Sequence, residues 1–379
     1  MQISIPKETH ANEKRVPVIP ETAGKLVKMG AKVIIESGMG LGSGYQDEDY
    51  TKVGAEVETD REKLLKEGDI VLRLRKPEKS EIKKLKKGCI HVSYLDPFNE
   101  LELVEEFSKE GVNAICMELI PRSTKAQKMD ALSSQANLAG YTAVIIAADH
   151  LDKIFPMMMT PSGTIKPSRV FIIGAGVAGL QAIATAKRLG ARVDAFDTRP
   201  VVEEQVKSLG GKFLKIDLGD TGQTKDGYAK ALTEEQLAIQ REAMAKHCSL
   251  CDVVITTAQV FGRKAPVIVT ADMVKRMKPG SVLVDLAVET GGNVEGSKVD
   301  EVVDVDGVRI IGLGNLPGRV AINASQMYSQ NLFNLIDEFW DKENKTFKLD
   351  LESEIMQGCL LTHDNEVRHE KIKSLLEEK

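Results

Sequence analysis

The stretch RVFIIGAGVAGLQAIATAKRLGARVDAFD, residues 169–197, reads as a strand, a tight turn, a helix and a second strand. Gly174, Gly176 and Gly179 have the GxGxxG spacing, and Asp197 follows 18 residues after Gly179. Gly174 permits the turn, Gly176 lets the backbone approach a pyrophosphate, and Gly179 lets the helix lie close to the strand. The helix N-terminus offers unpaired N–H groups to a phosphate. The stretch therefore predicts a Rossmann-type, dinucleotide-binding domain; a glycine-rich turn without a ligand is the alternative.

The residue at the end of the second strand indicates which dinucleotide binds. A carboxylate at Asp197 accepts hydrogen bonds from the adenosine ribose and repels a 2′-phosphate. NAD(H) is therefore favoured over NADP(H), although Arg199, two residues later, weakens that argument. The glycine-rich segments 37–44 and 312–319 lack the fingerprint spacing, so we expect one dinucleotide site.

Composition and charge exclude several classes of protein. The chain has 379 residues and a net charge of −5, which gives no reason to expect nucleic acid or anionic lipid as a partner. We find no signal peptide and no apolar run of the ~20 residues that cross a bilayer, and therefore expect a soluble, cytoplasmic chain. The five cysteines are scattered, which argues against disulfides. The CxxC of residues 248–251 reads as the end of a helix, and we expect no metal site.

Alternating strand and helix patterns over the whole chain predict an α/β fold with two Rossmann-like, doubly wound domains separated by a cleft. The first domain is predicted to be discontinuous, with residues 1–132 plus 322–379, and the second to cover residues 133–321. A helix near 133–149 links them, and the amphipathic helix after 322 packs back on the first domain before a polar tail. We expect Met157–Met159 to be packing residues.

A polar segment, PRSTKAQKMDALSS (121–134), precedes the fingerprint and reads as a loop that enters a helix. Arg122, Gln127, Asp130 and Ser133 lie at offsets 0, 5, 8 and 11. Direct hydride transfer needs two rings held face to face without water, and it needs no nucleophile or proton relay. Amides, hydroxyls and one ion pair suit that task. Taken alone, the segment could equally be a solvated charged loop with a helix N-cap.

The segments ELIPRSTKAQKMDALSSQANLAGY, GVAGLQAIATAKRLGA and APVIVTADMVKRMKPGSVLVDLAVETGGN, with FPMMMT and DGYAK between them, resemble the NAD(H)-binding domain I of proton-translocating nicotinamide nucleotide transhydrogenase. The resemblance covers nearly the whole chain, and the wider superfamily includes alanine dehydrogenase. It implies an oxidoreductase and translocase of the Si-specific type, which exchanges hydride between NAD(H) here and NADP(H) on a partner domain. It also implies a cytoplasmic homodimer, attached peripherally to an inner-membrane complex with a proton-conducting subunit and an NADP(H)-binding subunit.

The same resemblance implies roles for individual residues. Arg122 and Asp130 would hold the nicotinamide carboxamide, and Ser133 would bond the same group. Gln127 would project toward the nicotinamide ribose of the other nucleotide. The other cofactor-binding residues that it implies are Lys125 in the same loop, Val177 near the pyrophosphate, Asp197, Thr198 and Arg199 on the adenosine side, Gln259 after a strand, and Gly227, Tyr228 and Gln240 in a mobile loop over 217–240.

Two alternatives remain open at this point. An alanine dehydrogenase-like enzyme would use cations to hold a substrate carboxylate and a His as acid and base. Arg15 is present, but Arg75, Asp96 and Glu289 stand where that family has Lys, His and Asp. An Asp needs a large upward pKa shift to act near neutral pH, so we expect no amino-acid substrate. The second alternative is a non-catalytic NADH-binding module, which would not need Gln127 aimed outward.

Overall fold

A computed structural model describes residues 1–217 and 233–378 of the chain. The strands are β1 Gln2–Ile5, β2 Lys32–Glu36, β3 Glu56–Glu58, β4 Ile70–Leu72, β5 Ile90–Ser93, β6 Asn113–Cys116, β7 Met158–Thr160, β8 Gly163–Ile165, β9 Arg169–Ile173, β10 Arg192–Phe196, β11 Lys212–Phe213, β12 Val253–Thr256, β13 Val282–Asp285, β14 Glu301–Val305, β15 Val308–Gly312, β16 Trp340–Asp341, β17 Thr346–Phe347, β18 Thr362–His363 and β19 Glu366–Val367. The α-helices are α1 Pro20–Lys28, α2 Asp47–Thr51, α3 Arg61–Glu67, α4 Lys79–Ile82, α5 Leu101–Lys109, α6 Ala131–His150, α7 Val177–Arg188, α8 Glu203–Ser208, α9 Glu234–Cys248, α10 Ala271–Lys275, α11 Ala321–Phe339, α12 Glu354–Cys359 and α13 Glu370–Glu377.

The chain forms two compact units. The first unit combines Met1–Gln135 with the segment from Gly318 onward, and the second is Ala136–Pro317. The domain boundaries expected from the sequence, 132/133 and 321/322, stay a prediction. Among the helices of residues 1–217 and 233–378, none has both the length and the hydropathy to cross a membrane.

The first unit is built on a six-stranded sheet with the order β3-β2-β1-β4-β5-β6. All its strands are parallel. Strands β4, β5 and β6 are buried along their whole length, as expected when helices cover both faces of a parallel sheet. The strand order reverses direction between β1 and β4, which is the arrangement of a doubly wound fold.

The second unit repeats this strand order. Its sheet runs β11-β10-β9-β12-β13-β15-β14, and only the edge strand β14 is antiparallel to its neighbour. Strands β9, β12 and β13 carry branched and aromatic residues that are buried on both faces. The predicted α/β class with parallel sheets is therefore confirmed in both units.

The C-terminal segment completes the first unit. On α11, Tyr328, Leu332 and Leu335 are fully buried in the core that covers the first sheet. Beyond α11, the predicted polar tail is wrong, because the chain continues through two short hairpins and helices α12 and α13. Leu360 and Leu361 are buried there, and the Leu361 N–H donates to Ala114 O at 2.8 Å. The apolar cluster is only a few residues long, too short for a periodic signal.

Strands β7 and β8 form an antiparallel hairpin in the second unit. The expectation that Met157–Met159 pack within the protein is wrong, since their side chains are 60%, 45% and 77% exposed. Pro161 and Ser162 form the turn of the hairpin, and both of its strands are exposed along their whole length. The cysteines agree with the sequence reading: Cys248 and Cys251 are buried, and burial raises the pKa of the Cys251 thiol to about 12.

Candidate functional site

The fingerprint loop has the expected strand, turn, helix and strand geometry. Gly174 follows β9 with a φ of +97°, which side chains rarely adopt. A Cβ atom on Gly179 would lie 1.9 Å from Gly174 O, so only glycine lets α7 lie this close to the turn. A Cβ on Gly176 would meet no atom within 4 Å, because this glycine faces open space. The turn therefore exposes its backbone at the position that the sequence predicts.

The N-terminus of α7 is open to an anion. Gly176 is its N-cap residue and has no side chain to bond the first N–H groups of the helix. Val177, the first helical residue, is 38% exposed. Unpaired N–H groups and the positive end of the helix dipole favour a phosphate at such a position.

Asp197 makes four hydrogen bonds with its own chain. Its Oδ2 accepts from Ala175 N at 2.8 Å and from Arg199 Nη2 at 2.9 Å. Its Oδ1 accepts from Arg199 N at 2.8 Å and from Arg199 Nε at 2.9 Å. The carboxylate thus joins the fingerprint turn to the segment after β10. The sequence indicated that Arg199 complicates the choice between NAD(H) and NADP(H). It did not reveal that the Arg199 guanidinium group donates to both oxygens of Asp197.

The other residues expected on the adenosine side lie in different settings. Thr198 is half-buried directly after Asp197. Gly227 and Tyr228 lie outside the described residues. Gln240 is buried in α9, so the part of the expected loop from residue 234 onward is helical. A capping box at Thr233 begins that helix, and the polar composition of the segment concealed its helical character.

A buried network that the sequence reading missed fixes the end of β12 against the turn. The Thr257 hydroxyl donates to Gly174 O at 3.0 Å. Asn293 accepts from Ala258 N at 3.0 Å and donates to Ala258 O at 2.9 Å. Asp285 accepts in turn from the Asn293 N–H. Gln259, the next residue, is exposed and donates to Leu286 O at 3.0 Å.

The segment 121–130, which we term the polar loop, lies in the first unit. Ala126 and Met129 are fully buried in the core, and residues Gln127–Met129 form a 3-10 turn. Arg122 and Gln127 are exposed. Within the described part of the chain, the Gln127 side chain forms no hydrogen bond. The structure therefore brings the four polar residues predicted from the sequence onto one short segment with Gln127 facing solvent.

Asp130 caps helix α6. Its Oδ1 accepts from Ser133 N at 2.9 Å, and its Oδ2 accepts from the Ser133 hydroxyl at 2.6 Å. The helix N-cap that the sequence left as an alternative is thus present. A cap does not exclude ligand binding, since it also fixes the rotamers of two polar side chains at the helix start.

Both lysines of the polar loop are paired with Glu338 of α11. Lys125 Nζ lies 2.8 Å from one oxygen of this carboxylate, and Lys128 Nζ lies 3.0 Å from the other. Asn331 and Asn334 of the same helix donate to Lys128 O at 3.0 and 2.7 Å. These partners are distant in sequence, and no motif in the chain indicated them.

A buried ion cluster lies near the start of the first unit. Glu13, whose side chain is 1% exposed, accepts from Arg15 at 2.8 and 2.7 Å and from Arg75 at 2.8 Å. Arg15 also donates to Gln135 Oε1 at 2.8 Å. Burial by itself raises the pKa of Glu13, but the hydrogen bonds and charge of Arg15, with the charge of Arg75, lower it to about 2. Both guanidinium groups therefore already have a carboxylate partner in the chain.

Asp96 and Glu289 each have partners within their own unit. The Asp96 side chain is 40% exposed, lies 3.9 Å from Lys76, and accepts from Asn99 at 2.8 Å. Its backbone has a φ of +49° and donates to the buried carboxylate of Glu118. Glu289 is exposed and accepts from a backbone N–H of the same unit at 3.0 Å. Of the predicted site residues, those of the fingerprint lie in the second unit, and Arg122, Gln127, Asp130 and Ser133 lie in the first.

Two family models match nearly the whole chain. Residues 4–139 match "Alanine dehydrogenase/PNT, N-terminal domain", and residues 143–370 match "Alanine dehydrogenase/PNT, C-terminal domain". An NAD(P) transhydrogenase alpha-subunit chain of Rhodospirillum rubrum is 44% identical over 376 residues, which is 97% of this chain and 98% of that protein. The alanine dehydrogenase of Bacillus subtilis is 31% identical and aligns with 84% of this chain and 80% of its own.

Solved structures give the same result. A transhydrogenase from Sinorhizobium meliloti superposes with a TM-score of 0.87 at 43% identity, and covers 97% of this chain and 100% of its own. An L-alanine dehydrogenase superposes with a TM-score of 0.81 at 26% identity, and covers 100% and 99% of the two chains. The resemblance drawn from the sequence is therefore confirmed. The chain belongs to the alanine dehydrogenase/PNT family and, within it, to the NAD(P) transhydrogenase alpha subunits.

Proposed function

We propose that the chain is the NAD(H)-binding subunit of a proton-translocating transhydrogenase. In this proposal it exchanges hydride between NAD(H) and an NADP(H) that a separate domain holds. The observation that carries the proposal is the polar loop, where the exposed Gln127 side chain has no hydrogen-bond partner in the described chain. A module that only stores NADH has no need for such a side chain.

The residues of the second unit fit a dinucleotide. A Cβ on Gly176 would fill the open space in front of the α7 N-terminus, which suits a backbone that must approach a pyrophosphate. Beside it, Val177 would contact the pyrophosphate, and Asp197, Thr198 and Arg199 would hold the adenosine ribose. We also propose contacts from Gly227, Tyr228, Gln240 and Gln259, of which Gly227 and Tyr228 lie outside the described residues.

The polar loop and the start of α6 supply the nicotinamide contacts in this proposal. Arg122 and Asp130 would hold the carboxamide, with Ser133 bonded to the same group and Lys125 beside them. When bound, NAD(H) supplies the hydride, and the chain's residues need only orient the ring and exclude water. The hydrogen bonds between Asp130 and Ser133 prepare this task, because both side chains are already fixed at the start of α6.

The alanine dehydrogenase alternative is disfavoured by the buried ion cluster. A substrate carboxylate at Arg15 and Arg75 would have to compete with Glu13, which already bonds both. Asp96, in the position of the expected His, is exposed and close to Lys76 rather than buried.

The remaining parts of the proposal concern assembly. We propose a homodimer, a peripheral position on the cytoplasmic side of a membrane complex, and partner subunits that bind NADP(H) and conduct protons. The exposed methionines of the β7–β8 hairpin support an interface, because a two-stranded hairpin is at best marginally stable alone in water. Proton coupling would act through nucleotide affinity on the partner.

The first prediction tests hydride transfer. Replacing Gln127 with Asn shortens the exposed side chain by one methylene and keeps its amide. We expect the NADH dissociation constant to change less than twofold and the rate of transfer to NADP⁺ to fall at least tenfold, since misplacement of a reacting group by ~1 Å can cost a hundredfold. The rate is measured by stopped-flow mixing of chain, NADH, an NADP⁺ analogue and a purified NADP(H)-binding subunit.

Two controls accompany this experiment. Mixing without the NADP(H)-binding subunit should give no transfer, and NAD⁺ reduction driven by alanine should be absent. Efficient alanine oxidation, or transfer at the normal rate by the Gln127→Asn variant, would count against the proposed function.

The second prediction concerns the adenosine side. Asp197→Ala removes an acceptor for ribose hydroxyls and also the bond that joins the fingerprint turn to β10. We expect NADH to bind at least tenfold more weakly, because a buried partner of a substrate hydroxyl is worth about 1–3 kcal/mol. Equilibrium fluorescence titration with NADH measures this loss. An unchanged dissociation constant would remove Asp197 from the proposed ribose contact.

A further inference from the structure

Two kinds of contact fix the polar loop: apolar packing on the side that faces the core, and polar contacts with α11 on the other side. On the inside, the methyl group of Ala126 and the side chain of Met129 are fully buried in the core of the first unit. These residues are three apart, so the 3-10 turn places both on its inner face. Gln127, between them, necessarily points to a different side of the turn.

On the outside, α11 holds both lysines that flank Gln127. The Glu338 side chain is 17% exposed and places one carboxylate oxygen 2.8 Å from Lys125 Nζ and the other 3.0 Å from Lys128 Nζ. Hydrogen bonds from Lys125 and then from Lys128 lower the pKa of Glu338. A single carboxylate thus links the residues two before and one after Gln127.

The backbone of the loop is attached to the same helix. Asn334 Nδ2 donates to Lys128 O at 2.7 Å, and Asn331 Nδ2 donates to this oxygen at 3.0 Å. The Ser134 hydroxyl donates to Asn331 Oδ1 at 2.7 Å, which ties the start of α6 to the same position. Glu338, Asn334 and Asn331 lie three or four residues apart and therefore on one face of α11.

We propose that Glu338 and Asn334 of α11 are positioning residues for hydride transfer, which hold the polar loop so that Gln127 has one orientation toward the second nucleotide. This inference rests on the proposed function, since it assigns a role to Gln127 in transfer. Helix α11, with which the chain returns to its first unit, thus contacts both the core of that unit and the polar loop.

The loss of Glu338 should affect the rate of hydride transfer much more than the free energy of unfolding. Ion pairs with exposed lysines contribute little to the free energy of unfolding. Loss of Glu338 should therefore leave the folded chain intact. Transfer is far more sensitive, because it depends on the distance and angle between reacting groups.

The test compares Glu338→Ala with Asp337→Asn. Asp337 is the neighbouring carboxylate on α11, and in the described structure its side chain makes no hydrogen bond or ion pair. For Glu338→Ala we expect transfer to slow by about three- to tenfold, with the NADH dissociation constant and the melting temperature unchanged. Asn334→Ala should act in the same direction, and Asp337→Asn should match the unmodified chain.

A double-mutant cycle shows whether Glu338 acts through Gln127. If it does, Glu338→Ala should slow the unmodified chain but have almost no further effect in the Gln127→Asn background. Independent, multiplying effects in the two backgrounds would overturn the inference.

A measurement that needs no nucleotide tests whether Glu338 holds the polar loop. Hydrogen exchange followed by mass spectrometry should show faster amide exchange in residues 123–130 of Glu338→Ala, with unchanged exchange in β9 and α7. Unchanged exchange in the polar loop would contradict the positioning role.

If the unmodified chain transfers no hydride to any NADP⁺ partner, the proposed function fails. If the unmodified chain transfers hydride normally and both α11 variants do too, only this inference fails.

Discussion

Replacing Gly179 with alanine is expected to abolish NADH binding and to destabilise the second unit by about 3 kcal/mol or more. The added Cβ would lie 1.9 Å from Gly174 O, and this neighbour is backbone, which cannot move aside as a flexible side chain can. Either α7 shifts away from the turn or the turn loses its φ of +97° at Gly174. Both outcomes would disrupt the proposed site for the pyrophosphate.

Gly176→Ala is the matched control for this experiment. Its Cβ would meet no atom within 4 Å, so thermal unfolding followed by circular dichroism should match that of the unmodified chain. NADH binding, measured by fluorescence titration, should nevertheless weaken at least tenfold, because the methyl group would occupy space that the proposed site gives to the pyrophosphate. Normal NADH affinity in Gly179→Ala would contradict the close approach of α7 to the turn.

The pair of variants also shows why this part of the fold could be predicted from sequence. Three glycines at fixed spacing, a preceding apolar strand and a following acidic residue are all local in the chain. The structure confirms their local geometry, since Gly174 turns the chain, Gly179 lies against that turn, and Asp197 follows β10. The parallel sheets were predictable for a related reason, since strands buried on both faces read as continuous apolar runs.

The elements that the sequence did not reveal depend on contacts between distant segments. Leu360 and Leu361 are buried in the core of the first unit, where the Leu361 N–H donates to Ala114 O, and their short apolar cluster gives no periodicity. The β7–β8 hairpin was not predicted, because its exposed strands lack alternation between apolar and polar residues.

The candidate site likewise combines residues that the sequence predicted with supporting contacts that it did not. Arg122, Gln127, Asp130 and Ser133 were predicted from the family resemblance, by their identity and spacing, and the structure places them on one loop and the helix that follows it. Their support could not be predicted, because Glu338 lies more than two hundred residues away in the chain. One partner of Asp197 could be anticipated, because Arg199 lies two residues later, but the two hydrogen bonds from its guanidinium group depend on rotamers that the sequence does not give.

Replacing Glu13 with Gln should produce the largest loss of stability in the first unit. The variant keeps the shape of the side chain but leaves two guanidinium groups without their shared carboxylate. Arg15 is 4% exposed, and removing one partner from a buried ion pair costs about 3–5 kcal/mol. Trp340 is the only tryptophan and is buried in the core of the first unit, so its fluorescence during urea unfolding reports on this unit.

Glu21→Gln is the control, because it removes a carboxylate from an exposed pair with Lys25 and should change the unfolding midpoint very little. Equal midpoints for the Glu13 and Glu21 variants would show that the buried cluster contributes no more than a surface pair. Equal midpoints would also weaken the argument that Glu13, by bonding Arg15 and Arg75, competes with a substrate carboxylate for them.

The stability difference between the unmodified chain and Glu13→Gln should depend on pH if the lost charge of Glu13 causes it. The pKa of Glu13 is about 2 in the folded chain and has an ordinary value of 4.5. A lowered pKa stabilises the folded state at pH values above the ordinary one, and this contribution disappears as the pH falls from about 4.5 to about 2. The gap in stability between the unmodified chain and Glu13→Gln should therefore be full at pH 7 and much smaller at pH 3. Because Gln at this position cannot titrate, a gap of equal size at both pH values would mean that lost packing, and not lost charge, destabilises the variant.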